Sequence, residues 1–132
     1  MLAKLKGTRL YSILNNKCPR CHEGDFYITK HPYQIHNFGK NHEHCSACGY
    51  KFDKEPGYFY GAMYVSYALT VAFSVAIAVA IVVLFPSSGY KVYMISILLG
   101  LVVLMPLSFR LSRLIWMNLF QHYDKEALES KK

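Results

Sequence analysis

The run "GAMYVSYALTVAFSVAIAVAIVVLF", Gly61 to Phe85, contains no charged residue. As a helix rising about 1.5 Å per residue it reaches roughly 37 Å, against a hydrocarbon core of about 30 Å. A soluble helix of this length, apolar on every side, needs a far larger protein around it. The chain has 132 residues, room for one small domain. The stretch therefore reads as a transmembrane helix.

Immediately after it, "PSSGYK" places Pro86 and Gly89 where they break a helix and permit a tight turn. "VYMISILLGLVVLMPLSF", Val92 to Phe109, then supplies a second uncharged segment near the lower length limit for a span, with Pro106 placed to kink its end. Two spans joined by so short a loop are antiparallel. The loop carries only Lys91, whereas Lys51 and Lys54 precede the first span and Arg110 and Arg113 follow the second. The positive-inside rule then puts both termini in the cytoplasm.

Composition agrees with a divided chain. Hydrophobic residues are 53% of the total and crowd the second half, while 15 Lys and Arg against 8 acids give a formal charge of +7. That balance suggests an anionic partner, either a nucleic acid or an acidic membrane surface. Lys4, Lys6 and Arg9 interrupt the first fourteen residues, so no cleavable secretory signal is expected.

The polar half holds all four cysteines, in "CPRCHEGDFY" (Cys18, Cys21) and "HCSACGYKF" (Cys45, Cys48). Each C-x2-C pair can form a tight knuckle that turns two sulfurs toward one ion, and four thiolates complete a tetrahedral zinc site. Gly49 suits the left-handed backbone such a knuckle needs, and Pro19 stiffens the first turn. The gap between the pairs exceeds the common spacing slightly, leaving room for an extra strand or loop. In a reducing cytoplasm two C-x2-C pairs favour a metal over two disulfides. No alternating strand–helix pattern surrounds Cys18, which disfavours a thioredoxin-like redox site. Four protein ligands leave no open position, so the ion expected is structural zinc, with iron accepting the same four thiolates. A head this small buries little apolar surface, and metal binding would supply much of its folding energy.

Other residues read more plainly. His22, His31, His36, His42 and His44 crowd the head. A ligand role for His22 or His44 competes with solvated loop histidines, one of them hydrogen-bonded to a sulfur, and four thiolates favour the latter. Glu23 with Asp25, and Asp53 with Glu55, read as solvated turns. No nucleophile–base set, no Gly-rich phosphate loop and no charge within either span is present, so the chain is not expected to be an enzyme or an ion pathway.

Along the first span Ala68, Ala72, Ala76 and Ala80 recur every four residues, and Ser66, Thr70, Ser74 and Ala78 do so offset by two. These rows lie on nearly opposite faces, one able to take the second span at Ser96 and Gly100, the other open to a further helix. Tyr58, Phe59, Tyr60, Tyr64, Tyr67, Trp116 and Phe120 fit aromatic belts at headgroup depth. The segment after Arg110, with Leu111, Leu114, Ile115 and Leu119, reads as an amphipathic helix along the bilayer surface. Leu2, Leu5, Ile13 and Leu14 give the N-terminus a weaker version of the same pattern. Nine Lys and Arg against five acids in residues 1–57 are scattered rather than clustered, so nucleic acid is the less favoured partner.

The two cysteine motifs together with "EPGYFYGAMYVSYAL", Glu55 to Leu69, resemble an uncharacterised bacterial family of short membrane proteins known as a domain of unknown function. The likeness runs from about Lys17 to Phe120, and the Glu55–Tyr64 run is its most specific part. It implies a bacterial inner-membrane protein with a zinc-ribbon-like head and two spans. The position of some relatives beside cytochrome oxidase genes implies an accessory or assembly role.

The fold expected is thus a mainly α membrane protein. It comprises a basic amphipathic segment (1–16), a zinc-ribbon-like cytoplasmic head of short β and loop structure (17–57), a transmembrane hairpin (58–109, spans 61–85 and 92–109) and a cytoplasmic amphipathic tail (110–132). The expected function is that of a non-enzymatic adaptor, accessory subunit or assembly factor of a membrane complex, possessing a lipid bilayer environment and either a membrane-protein partner or a second copy. The alternative is a thiol-active metal handler or redox protein.

Overall fold

The computed structural model describes residues 2–131; Met1 and Lys132, at the two ends of the expected flanking segments, lie outside them. Three α-helices follow in order: α1 (Arg9–Asn15), α2 (Tyr60–Leu84) and α3 (Tyr90–Phe120). Short 3-10 turns occur at Leu2–Leu5, Ile35–Asn37, Lys125–Ala127 and Glu129–Lys131. The expected short β structure is reduced to three isolated antiparallel bridges, Lys17 with Asp25, Tyr27 with Asn41 and His44 with Lys51. No sheet forms among the described residues.

α2 and α3 are both long and apolar enough to cross a membrane, and both lie largely uncovered by the rest of the protein. They pair as an antiparallel hairpin through the row that begins at Ser66. Ser66, Thr70, Ser74 and Ala78 are half-buried, whereas Ala68, Ala72, Ala76 and Ala80 are exposed. Thr70 and Ser74 donate their hydroxyls to the Ser66 and Thr70 carbonyls, both at 2.9 Å, so these polar groups are satisfied within α2. Gly100 lets α3 approach closely, since a Cβ there would stand 2.5 Å from Ile77 Cδ1.

α3 departs from expectation in length. It passes through Pro106 and continues to Phe120 without the boundary drawn at Phe109. Its last three turns do not lie along a surface. They form one wall of the head, with Arg110, Ser112, Leu114, Met117 and Asn118 all buried. The physical reason is the poverty of the head itself. Its core of Phe26, Tyr27, Phe52 and the cysteines closes only with Leu114 and Met117 added, and each such buried side chain is worth about 1.5–3 kcal/mol. Beyond Gln121 the chain turns back, and the Asp124 amide donates to the Arg20 carbonyl at 2.8 Å.

The N-terminal segment also docks on protein. Ile13 packs against the head core, and Ser12, fully buried, accepts from Asn118 Nδ2 at 3.3 Å while donating to the Lys17 carbonyl at 2.6 Å. Leu10 and Leu14 remain exposed.

Candidate metal centre

The two cysteine pairs adopt the same turn. In the first, the His22 amide donates to the Cys18 carbonyl at 3.0 Å; in the second, the Gly49 amide donates to the Cys45 carbonyl at 2.9 Å. The residue after each pair is left-handed, His22 at φ 58° and Gly49 at φ 72°. Glycine adopts that conformation at no steric cost. Histidine does not, and its side chain supplies the compensation.

His22 is buried, not solvated like His31, His36, His42 and His44. Its Nδ1 accepts from the Gly7 amide at 3.1 Å. Its ring stacks on Tyr11 at 5.5 Å and tilts against Tyr123 at 4.4 Å. Burial, aided by the Lys6 charge, holds the imidazole below its ordinary titration range, consistent with a neutral ring accepting at Nδ1. One side chain thus joins both ends of the chain to the first knuckle. It is not part of the sulfur cluster.

The four sulfurs lie within 4.8 Å of one another. Cys18, Cys21 and Cys45 are buried and Cys48 is half-exposed. The Cys18–Cys48 and Cys21–Cys45 sulfur distances are 3.9 and 3.6 Å. A tetrahedron with metal–sulfur bonds of about 2.3 Å has sulfur–sulfur edges of about 3.8 Å. Two edges of the donor set match that figure, and with all four sulfurs within 4.8 Å a small contraction suffices to close them on one tetrahedral ion.

Electrostatics favour the same use. The Cys45 thiol is lowered, chiefly by the neighbouring Cys18 thiol, with the Cys48 and Ala47 amides assisting. The Cys18 thiol is correspondingly pushed up by the neighbouring Cys45 sulfur and by burial. Burial raises Cys48 to about 11. Sulfurs sharing protons at this spacing have the arrangement that a cation completes when it replaces those protons.

Close backbone approach closes the site. A Cβ on Gly24 would stand 2.3 Å from Cys45 Sγ, so the first knuckle leaves room for the second cysteine only because residue 24 is glycine. Sequence reading passed over Gly24; its one signal was a glycine three residues after the C-x2-C turn.

Arg110 and Arg113, expected as basic residues directly after the second span, stand there and are in addition tied into the head, which sequence reading did not foresee. Arg110 donates to the Thr29 carbonyl, to Thr29 Oγ1 at 2.9 Å and to the Lys30 carbonyl at 3.3 Å. Arg113 donates to the Gly39 carbonyl at 3.2 Å and lies over the Phe59 and Phe109 rings at 4.9 and 4.6 Å. The acids expected on solvated turns are partly engaged too. Lys6 pairs with Glu23, and Lys17 pairs with Asp25 at 2.6 Å.

A family model described as "Protein of unknown function (DUF983)" matches residues 35–120, about two thirds of the chain. The chain belongs to this family. The matched region takes in Cys45, Cys48 and both long helices, and starts after Cys18 and Cys21. No curated protein and no solved structure matches the chain.

Proposed function

We infer that this member of a family of unknown function is a non-enzymatic adaptor in the inner membrane of a bacterium. In this reading α2 and α3 cross the bilayer, and Cys18, Cys21, Cys45 and Cys48 hold one structural zinc ion in a cytoplasmic head. The observation that carries it is the closed four-sulfur cluster built on the end of an apolar hairpin. Four protein sulfurs fill a tetrahedral shell and leave no position for substrate, which supports a structural ion rather than a reactive one. Zinc suits the site by donor type and spacing, and iron accepts the same set.

Orientation follows from charge. The head end carries Lys4, Lys6, Arg9, Lys30, Lys40, Lys51 and Lys54 on its surface, whereas the opposite end of the hairpin carries only Lys91, in the first turn of α3. That asymmetry supports cytoplasmic termini even with Arg110 and Arg113 withdrawn into the head. The uncovered Ala68–Ala80 row offers a smooth face on which a helix of another membrane subunit, such as one of a respiratory oxidase, can pack.

Purification of the intact chain in mild detergent tests the adaptor reading. A co-eluting membrane protein or a defined self-association is expected, and elution as a lone monomer contradicts it. A second reading, a thiol-active metal handler, draws on the half-exposed Cys48. Rapid alkylation of Cys48 in the metal-loaded protein with loss of the ion supports the handler. Resistance until denaturation supports the adaptor.

A further inference from the structure

We propose that the seam between α1, α3 and the loop joining the two knuckles binds the headgroup of an anionic phospholipid. The proposal rests on the membrane reading above and goes beyond it. Its starting point is an unneutralised charge. Arg110 is only 7% exposed, yet every partner it has among the described residues is neutral: the Thr29 and Lys30 carbonyls, the Thr29 hydroxyl and the Tyr27 ring at 4.4 Å. The ion pairs found there, Lys6–Glu23, Lys17–Asp25 and Arg20–Asp124, do not include it. A buried cation with only dipoles around it still attracts an anion.

Beside Arg110 lies an open groove of about 310 Å³ whose lining includes Lys30 and Asn16 but no carboxylate. Its remaining walls are mostly apolar, with Ile13 and Leu14 on one side and Leu107 and Leu111 on the other. Two cations over apolar walls match a phosphate attached to acyl chains. A small soluble anion would gain nothing from the leucines, and Asp25, the acid of the adjoining groove that also holds Lys30, is already paired with Lys17 and so offers little to the ammonium of a zwitterionic headgroup.

Depth agrees with that occupant. Arg110 directly follows the uncharged Val92–Phe109 run, which as a helix is about 27 Å long. Arg110 therefore stands where hydrocarbon gives way to headgroups. Tyr33 holds the loop against α3 by donating its hydroxyl to the Val103 carbonyl at 2.8 Å, and Ile35, 90% exposed, projects from the same loop. The loop thus lies at the depth of the leaflet that would supply the lipid.

Native mass spectrometry of the full chain, purified with equal amounts of phosphatidylglycerol and phosphatidylcholine, tests the site. Preferential retention of phosphatidylglycerol is expected. Lys30→Ala should lower that preference about five-fold, because it removes an exposed side chain and leaves the Lys30 carbonyl on Arg110. Lys54→Ala, in a separate groove flanked by Glu43, Asp53 and Glu55, should leave it unchanged. Equal retention of both lipids, an unaltered preference in Lys30→Ala, or displacement by excess inorganic phosphate overturns the proposal. Alkaline carbonate extraction separates the two levels of failure. Release from the membrane defeats the membrane reading, whereas retention in the membrane without lipid preference defeats only the lipid site.

Discussion

Arg110 holds its guanidinium 4.4 Å from the centre of the Tyr27 ring while the Tyr27 hydroxyl donates back to the Arg110 carbonyl at 3.4 Å. This reciprocal pair is where the cysteine-bearing head meets the long helix. Both residues are buried, and the head depends on α3 for the far wall of its core.

Replacing Arg110 by Met should therefore uncouple head from helix while keeping volume. Charge-assisted hydrogen bonds to Thr29 and Lys30 are lost and their carbonyls left without that donor, a cost of about 2–4 kcal/mol. Tyr27→Phe, which removes one long hydrogen bond and keeps the ring, should cost under about 1 kcal/mol. Trp116 reports both, being the sole tryptophan and bonded through Nε1 to the Tyr58 carbonyl at 2.9 Å. Thermal unfolding followed by its fluorescence should rank Arg110→Met well below Tyr27→Phe.

Two glycines of the hairpin should differ in tolerance. A Cβ on Gly61 would stand 2.0 Å from Trp116 Cζ2, in a rigid ring held by that same hydrogen bond. A Cβ on Gly100 meets Ile77 Cδ1 at 2.5 Å, the free end of a flexible side chain. Gly61→Ala should cost about 1–3 kcal/mol as overpacking, and Gly100→Ala clearly less. Gly89→Ala, with nothing within 4 Å, serves as the reference. Melting temperatures of the three variants check the order.

Gly24→Ala should damage the metal site without touching a ligand. Its Cβ would displace Cys45 Sγ, and the sulfur cluster would lose its spacing. The chelator concentration that removes half the metal should fall at least ten-fold, the scale on which supporting groups around a metal act.

Acid should release the ion. A metal-bound thiol is held deprotonated, so its effective pKa lies below that of an unfolded cysteine. The associated stability is present at neutral and alkaline pH and is lost as pH falls through the bound-state value. In the metal-free head Cys18 is pushed up and Cys48 raised to about 11, so both are protonated at neutral pH. Metal binding near pH 7 should accordingly release at least these two protons, measurable by calorimetry in buffers of different ionisation enthalpy. Removal of the ion by chelation should disorder the head while far-ultraviolet circular dichroism retains the signal of α2 and α3, whose hydrogen bonds are internal to each helix.

The helices were legible in the sequence because an uncharged run of such length has few structural alternatives, and the cysteines because their spacing is a local property. The two α2 rows were legible for the same reason, since a step of four defines a face. What could not be read was long-range. The fate of Arg110, Leu114 and Met117 depends on residues about 80 positions away folding back onto α3, and local amphipathicity fits a lipid surface and a protein wall equally well. The left-handed His22 broke the residue preference for that conformation, so its role as a clamp was visible only once Gly7, Tyr11 and Tyr123 were seen around it. The short β and loop structure expected of the head is realised as loop with three single bridges, and Leu114 and Met117 of α3 complete its core.

X-ray absorption at the metal edge of the intact protein, combined with metal content per chain, addresses the central claim most directly. One zinc per chain with four sulfur neighbours at about 2.3 Å is the expected result. Substoichiometric metal, nitrogen or oxygen in the shell, or cysteines recovered as disulfides would contradict a head closed by one ion on Cys18, Cys21, Cys45 and Cys48.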